Sequence, residues 1–239
     1  MAKLWGGRFT KGTDKAVEDF TSSIAFDARM YAEDIAGSKA HATMLAKQNI
    51  ISNADRDAIV EGLTKIKGQI DKGEFPFSVT LEDIHMNMES LLTAKIGPVA
   101  GKLHTARSRN DQVLLDLKLF TRAQIQEIVE LVSDLFEVLI SQSNRYKDVL
   151  LPGYTHLQIA MPSSFGLWFG AYAESLTDDL QMMQAAYKVC NRNPLGSAAG
   201  YGSSFPLRRQ MTTDLLGFDS LDYNVVYAQM GRGKMERTV

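Results

Sequence analysis

The chain has 239 residues, of which 45% are hydrophobic and 23% charged, a composition typical of a globular protein with a sizeable core. Its net charge is -2, from 26 basic and 28 acidic residues, which excludes the broad basic field of a nucleic-acid or anionic-membrane binder. Cys190 is the single cysteine, so no internal disulfide can form, and no CxxC or HExxH zinc pattern is present. These features favour a reducing, cytoplasmic setting.

The N-terminal segment lacks the apolar core of a signal peptide. The most apolar window, residues 160–173, is interrupted by Pro162, Ser163 and Ser164. A helix that spans a bilayer needs about 20 consecutive apolar residues. We therefore expect neither a signal peptide nor a membrane-spanning helix.

Helical periodicity and the positions of the prolines predict the order of the elements. Three shorter helices are expected over residues 28–47, 53–71 and 81–96. The third opens with Thr80-Leu-Glu-Asp83, the pattern of a capping box, and ends at Gly97-Pro98. No run of strict alternation is long enough to predict a sheet.

A much longer helix is predicted over residues 110–144, and a second proline-free helical stretch lies between Pro162 and Pro194. At 1.5 Å per residue the first would be roughly 50 Å long, whereas a compact chain of this size has a radius of gyration of about 18 Å. Its apolar residues lie on more than one face, so it is expected to be buried on several sides. The pattern predicts a bundle of long helices that other chains complete.

The segment Lys102-Leu-His-Thr-Ala-Arg-Ser-Arg-Asn-Asp-Gln112 directly precedes the long helix. Free amide donors and the positive end of the helix dipole favour an anion there, and Arg107 and Arg109 would add two-point carboxylate binding. An alternative stays open, in which Ser108-x-x-Asp111 is only a capping box beside two solvated arginines.

The segment Leu151-Pro-Gly-Tyr-Thr-His-Leu-Gln158 is expected to form a turn between two long helices. His156, beside the hydroxyl of Thr155, would be able to accept or donate a proton near neutral pH. The alternative is a loop histidine with a purely structural hydrogen bond.

Taken together, these motifs resemble those of argininosuccinate lyases, within the fumarase and aspartase superfamily. The resemblance covers essentially the whole chain and rests on five segments in the same order. They are Trp5-Gly-Gly-Arg-Phe9, Glu82-Asp-Ile-His85, His104-Thr-Ala-Arg-Ser-Arg-Asn-Asp-Gln112, Pro152-Gly-Tyr-Thr-His-Leu-Gln158 and Pro194-Leu-Gly196.

The resemblance implies roles for six residues. Ser23, Arg109 and Asn110 would bind substrate, Thr155 and His156 would lie where the succinyl group reacts, and His85 matches another active-site position. The alternative for His85 is a structural role, as a polar residue beside an apolar stripe on its helix. His85 and Glu89 are too few ligands to predict a metal site.

The reaction implied by the resemblance is the elimination that splits argininosuccinate into arginine and fumarate. Negative charge develops on a carboxylate in this reaction, which requires fixed donors and cations, together with a base and an acid. The family's base is a serine in a mobile loop. Gly202-Ser-Ser-Phe-Pro-Leu-Arg-Arg209 resembles only the opening of that loop, so we expect these 239 residues alone to be inactive. Segments 208–209 and 224–233 also depart from the family pattern.

The resemblance further implies an all-α fold, with a small N-terminal helical domain over residues 1–106 and the first long helices of a bundle over residues 107–239. It implies a homotetramer with active sites shared between subunits, argininosuccinate as the small-molecule substrate, and no cofactor or metal. Two alternatives remain at this point. One is another lyase of the superfamily, such as adenylosuccinate lyase or aspartase, and the other is a non-catalytic structural protein like the lens crystallins of this family.

Overall fold

A computed structural model describes residues 12–74 and 77–234, and the fold is predominantly helical, as predicted. The Trp5–Phe9 motif lies outside the described residues. The helices are α1 (Lys15–Thr21), α2 (Ile24–Asp27), α3 (Tyr31–Lys47), α4 (Asn53–Asp71), α5 (Ile84–Ile96), α6 (Arg109–Arg145), α7 (Phe165–Cys190), α8 (Arg209–Leu215) and α9 (Val225–Met230). Short 3-10 helices cover Ala28–Met30, Val79–Leu81 and Gly97–His104. The strands are β1 (Leu150–Thr155), β2 (Gln158–Ser164), β3 (Arg192–Asn193) and β4 (Ser220–Leu221).

The predicted start of the third helix is wrong by three residues. Asp83, not Thr80, is the N-cap of α5, and its carboxylate accepts a hydrogen bond from the Met86 amide at 2.6 Å. Thr80 lies in a 3-10 turn that precedes Glu82, whose φ of 68° is incompatible with a continuous helix. The capping-box pattern therefore identified the correct region but the wrong capping residue.

The described residues form two compact units, one of residues up to 117 with residues 193–229, and one of residues 118–192 with those from 230 onwards. The core of the first unit lies between α3, α4 and α5. Its fully buried side chains include Leu45, Ile59, Leu63 and Leu92. The predicted division at residue 106 stays a prediction.

Close packing of α3 against the beginning of α6 depends on Gly37. A Cβ atom at this position would lie 2.7 Å from Leu115 Cδ2, closer than side chains tolerate. Gly37 therefore allows the two helices to approach until polar side chains of α3 reach those of α6.

The second unit contains most of α6 together with α7, which run antiparallel. Arg122 Nη1 donates to Asn191 Oδ1 at 2.9 Å near one end of the pair, and Ser143 Oγ donates to the Gly166 carbonyl at 2.7 Å near the other. Gly166 has no room for a side chain, since a Cβ atom would lie 2.5 Å from Lys147 Cα. Two long helices thus pack as a hairpin, and the proline-free stretches had predicted the two helices but not this packing.

The connection between α6 and α7 is an antiparallel β-hairpin, which corrects the expectation of a simple turn and of no sheet. Strands β1 and β2 pair from Leu150 with Ser164 to Thr155 with Gln158, with an irregularity after Gly153. Both strands are largely exposed, so burial imposes no alternation of polar and apolar residues on the sequence. The tip is formed by His156 and Leu157, whose φ angles are 49° and 62°.

Within the described ranges, none of the helices combines the length and the apolar character that crossing a bilayer requires.

The hairpin tip is expected to store backbone strain, since two consecutive non-glycine residues have positive φ. Leu157→Gly should stabilise the hairpin by about 1 kcal/mol relative to Leu157→Ala, because the side chain is 98% exposed and makes little packing contribution. Amide hydrogen exchange of β1 and β2 measures this difference. Equal protection in the two variants would show that the tip is unstrained.

Candidate active site

The beginning of α6 is fixed by the buried carboxylate of Asp111. Its Oδ1 accepts from the Ser108 amide, and its Oδ2 accepts from the amides of Gly196 and Ala198, each at 2.9 Å. Ser108 Oγ accepts from the Asn110 amide at 3.2 Å. The capping interaction that the sequence offered as an alternative is therefore present, and it holds the segment that carries Arg109 and Asn110.

A buried ionic cluster lies beneath this segment. His85 Nδ1 is 3.1 Å from Asp34 Oδ1 and 3.4 Å from Asp116 Oδ2. Arg107 is buried beside them and donates from Nη1 to Ser38 Oγ at 2.9 Å. Arg107 therefore faces inward, and the expectation that it remains solvated is wrong, whereas carboxylate binding by Arg107 stays a prediction.

The pKa values of the two carboxylates in the cluster are shifted in opposite directions. Burial alone would raise the pKa of Asp34, but the hydrogen bond and charge of His85, the charge of Arg107 and the Gln112 amide lower it to about 2. Burial raises the pKa of Asp116 well above its ordinary value, and the negative charge of Asp34 adds to the effect. Neither oxygen of Asp116 has a hydrogen-bond partner among the described residues. The shifts in pKa therefore favour the ionised form of Asp34 and the protonated form of Asp116.

Asp34, His85 and Asp116 could in principle hold a metal ion, since their ligand atoms all lie within 4.8 Å of one another. The positive charge of Arg107 already acts on both carboxylates, and Gln112 donates to Asp34. A divalent cation would leave the buried group with excess positive charge. The arrangement fits an ionic cluster neutralised by a guanidinium better than a metal site.

Arg109 is held on three sides by neighbouring polar groups. Its Nη2 lies 3.2 Å from Glu89 Oε2, its Nη1 donates to Gln112 Oε1 at 3.1 Å, and its Nε is 3.8 Å from Asp83 Oδ2. Glu89 also lies 3.1 Å from Nδ1 of His104. Burial raises the pKa of Glu89, but the hydrogen bond from His104 and the charge of Arg109 outweigh it, so the pKa is lowered.

Ser23 lies close in sequence to another buried carboxylate. Ser23 Oγ donates to Asp27 Oδ2 at 2.5 Å, and Asp27 Oδ1 accepts from the Ile84 amide at 3.2 Å. The Ser23 amide also donates to the Glu82 carbonyl at 2.9 Å. Ser23 is thus attached to the start of α5, next to the helix that carries His85.

The predicted site residues fall on both units. Ser23, His85, Arg109 and Asn110 belong to the first unit, whereas Thr155 and His156 belong to the second, where they form the exposed end of the hairpin. In the first unit, Gln112 and Asp34 connect Arg109 to His85.

Sequence reasoning missed Asp34, Gln112 and Asp116 as members of this arrangement. A signal was present for α3, because Asp34, Ser38 and His41 are spaced by four and three residues and therefore lie on one helical face. Here that polar face is buried against other polar groups, with all three residues at most 2% exposed.

The segment that resembles the opening of the serine loop has a structural role. Arg209 donates from Nε to the Leu195 carbonyl at 2.9 Å and from Nη2 to the Asp222 carbonyl at 2.8 Å. In the divergent segment 224–233, Asn224 Oδ1 accepts from the amides of Val226 and Tyr227 at the start of α9, each at 2.9 Å. Arg209 and Asn224 thus support the backbone with their side chains in these two segments.

Because the pKa values of the two buried carboxylates are shifted in opposite directions, pH should change their contributions to the free energy of unfolding in opposite ways. The pKa of Asp116 is raised in the folded protein, so its contribution to stability is present below the unfolded value of 3.8 and is lost as the pH rises towards the folded value. Asp116→Asn removes this dependence. The free energy of unfolding of the variant, relative to wild type, should rise as the pH increases above about 4, by up to about 1.4 kcal/mol per pH unit, until the pH passes the raised pKa of the folded state.

The matched control is Asp34→Asn, measured by denaturant unfolding over the same pH series. The pKa of Asp34 is lowered, so its contribution is present above 3.8 and is lost only as the pH falls towards about 2. The cost of Asp34→Asn should therefore be nearly constant over most of that window. Parallel pH trends in the two variants would contradict the assignment of the proton to Asp116.

Comparison with known proteins places this chain in a family. The model of the Lyase family matches residues 7–229. The argininosuccinate lyase of Parabacteroides distasonis is 65% identical over 231 residues, covering 97% of this chain and 50% of that protein. The argininosuccinate lyase of Phocaeicola vulgatus is 60% identical over 232 residues, again covering 97% and 50%. The chain thus spans about half the length of these curated relatives.

Solved structures share the fold. An EDDS lyase in complex with formate superposes with a TM-score of 0.78 at 27% identity, covering 92% of this chain and 44% of that one. A fumarate lyase:delta crystallin from Brucella melitensis, bound to cobalt, gives a TM-score of 0.71 at 18% identity, covering 90% and 52%, and supports the fold alone. With a family match over residues 7–229 and a shared helical fold, the chain belongs to the Lyase family.

Proposed function

We propose that this chain forms part of an argininosuccinate lyase, a carbon-nitrogen lyase that eliminates fumarate from argininosuccinate and releases arginine. The observation that carries the proposal is the guanidinium of Arg109, held at the start of a 37-residue helix by Glu89 and Gln112. The curated relatives named for this activity support it. Because the chain spans about half their length, the activity is proposed for the complete enzyme, meaning residues 1–239 assembled with the remaining half of the Parabacteroides distasonis protein.

In the proposed reaction, a base removes a proton from the carbon next to a carboxylate of the succinyl group. The carbon–nitrogen bond then breaks, its electron pair goes to the guanidino nitrogen, and an acid protonates that nitrogen while the fumarate double bond forms. Negative charge accumulates on the succinyl carboxylate during proton removal. Fixed donors that face this carboxylate lower the barrier.

Arg109 and Asn110 are the groups proposed to hold the carboxylate. The side chain of Arg109 is 24% exposed, so part of its guanidinium is accessible, and Asn110 is exposed beside it. The positive end of the α6 dipole adds to their attraction for an anion. Ser23 is proposed as a further substrate contact, and His85 as a group positioned by Asp34.

Thr155 and His156 are proposed to lie at the reacting atoms. Both are exposed at the end of the hairpin, and the positive φ of His156 is the kind of backbone strain that is common at functional sites. His156 is assigned proton transfer or the orientation of reacting groups. A serine loop outside these residues is proposed to supply the base, since the segment 202–209 resembles only the opening of that loop.

Assembly into a homotetramer is part of the proposal. The second unit exposes large apolar side chains on α6 and α7, among them Leu131, Leu135, Val138, Leu167 and Trp168. Each square ångström of apolar surface removed from water contributes roughly 25 cal/mol. Covering these faces with helices of other subunits would therefore contribute substantially to stability.

The proposed role of His156 predicts that His156→Asn in the complete enzyme lowers kcat for fumarate release by at least about a hundredfold, the usual scale for a positioned acid-base group. Asparagine tolerates positive φ, so the hairpin should be retained. Leu157→Ala is the matched control in the same turn, and it should leave kcat nearly unchanged. Near-normal turnover of His156→Asn would remove His156 from the mechanism, and absence of fumarate release from the unmodified complete enzyme would contradict the proposed activity.

A further inference from the structure

The amide of Gln112 joins two of the proposed site residues. Its Oε1 accepts from Arg109 Nη1 at 3.1 Å, and its Nε2 donates to Asp34 Oδ1 at 2.5 Å. Gln112 is 2% exposed, so water does not compete effectively for either bond. A guanidinium can only donate and an ionised carboxylate can only accept, so a single orientation of the amide satisfies both partners.

The bonds of Gln112 extend to His85. Asp34 Oδ1 also lies 3.1 Å from His85 Nδ1, so hydrogen bonds connect Arg109, Gln112, Asp34 and His85 without interruption. The partners of Gln112 lie on α6 and α3, and His85 lies on α5. One buried amide therefore links α6 to α3 directly and to α5 through Asp34.

We propose that Gln112 is a positioning residue for substrate binding, which fixes the guanidinium of Arg109 in register with the Asp34–His85 pair. This inference rests on the proposed function, in which Arg109 binds the succinyl carboxylate. An unrestrained arginine samples many rotamers, and ordering it on binding weakens affinity. Gln112 and Glu89 hold its two terminal nitrogens, so the substrate meets a guanidinium that is already oriented.

Gln112→Met tests the proposal by removing both hydrogen bonds while keeping an unbranched side chain of similar size. In the complete enzyme it should raise KM for argininosuccinate and weaken inhibition by fumarate by about tenfold each, with a smaller change in kcat, as expected for losing a hydrogen bond to a charged group. A purely structural role would reduce the amount of folded enzyme and leave KM and fumarate inhibition of the folded fraction unchanged. That result would overturn the proposal.

Arg109→Lys separates this inference from the proposed function. Lysine cannot reproduce the planar two-point contact with a carboxylate, so it should itself weaken fumarate inhibition. In that background Gln112→Met should add little, because no guanidinium remains to be oriented. If Arg109→Lys leaves fumarate inhibition unchanged, the assignment of Arg109 fails. If Arg109→Lys weakens inhibition and Gln112→Met does not, only the role of Gln112 fails.

Gln112→Glu provides a second variant with a pH readout. A protonated carboxyl at this position donates to Asp34 and accepts from Arg109, as the amide does, whereas an ionised one cannot donate. Ionised or ionisable groups lie around the position on three helices and the segment before α6. They are Asp34 on α3, His85 and Glu89 on α5, Arg107 before α6, and Arg109 and Asp116 on α6. Asp34 and Arg109 contact Gln112 directly, and the others interact with these two residues or with His85.

The fumarate inhibition of Gln112→Glu should approach that of the wild type at low pH and weaken as the introduced carboxyl ionises. The wild type, measured at the same pH values, supplies the baseline. A difference between variant and wild type that does not change with pH would contradict the requirement for a donor to Asp34, and would overturn the proposal even if Gln112→Met failed to fold.

Discussion

The burial of Asp34, Asp116 and Arg107 in one core is the constraint on which the candidate site depends. Asp34 and Arg107 lose most of their hydration there, which costs several kcal/mol per ion unless partners compensate, and Asp116 is buried beside them with a raised pKa that favours its protonated form. The compensation comes from α3, α5 and α6 together, so the three helices are fixed relative to one another within the first unit. Gly37 permits the approach of α3 to α6 that this requires.

The cluster is also connected to the exposed side of the site. Gln112 joins the cluster to Arg109, and Glu89 joins Arg109 to His104. These contacts restrain the accessible guanidinium of Arg109 relative to the buried cluster. Asp111 anchors the same segment from the other side through the amides of Gly196 and Ala198. An anion-binding position on such a support needs little rearrangement when a ligand binds, which favours catalysis through preorganisation.

Local patterns predicted helices where a capping residue, a glycine or a proline marks an end, as Ser52 does for the start of α4 and Gly97 for the end of α5. The bounds of α4 agree with the prediction, and those of α6 differ by one residue at each end. The hairpin was missed because both faces of β1 and β2 are exposed, so no alternation marks them in the sequence. The cap of α5 was misplaced because the positive φ of Glu82 depends on its surroundings and not on a local propensity.

The candidate site was predictable only in part, and the missing part depends on distant contacts. Arg109, Asn110, His85 and His156 belong to recognisable motifs. Asp34 is 51 residues from His85 and 78 from Gln112, and no local pattern relates them. Arg107 and Arg109 are two residues apart and looked equivalent, but on the folded chain one is buried with Ser38 and the other is partly accessible.

A double-mutant cycle between Arg107→Met and Asp34→Asn tests most directly whether mutual neutralisation holds the buried cluster together. Free energies of unfolding are measured for the wild type, both single variants and the double variant. If the charge of Arg107 compensates that of Asp34, each single substitution leaves a buried charge uncompensated, and the double variant should be more stable than the sum of the single effects by at least about 1 kcal/mol. Additive effects would contradict the account, since they would mean that the two charges are buried independently of each other.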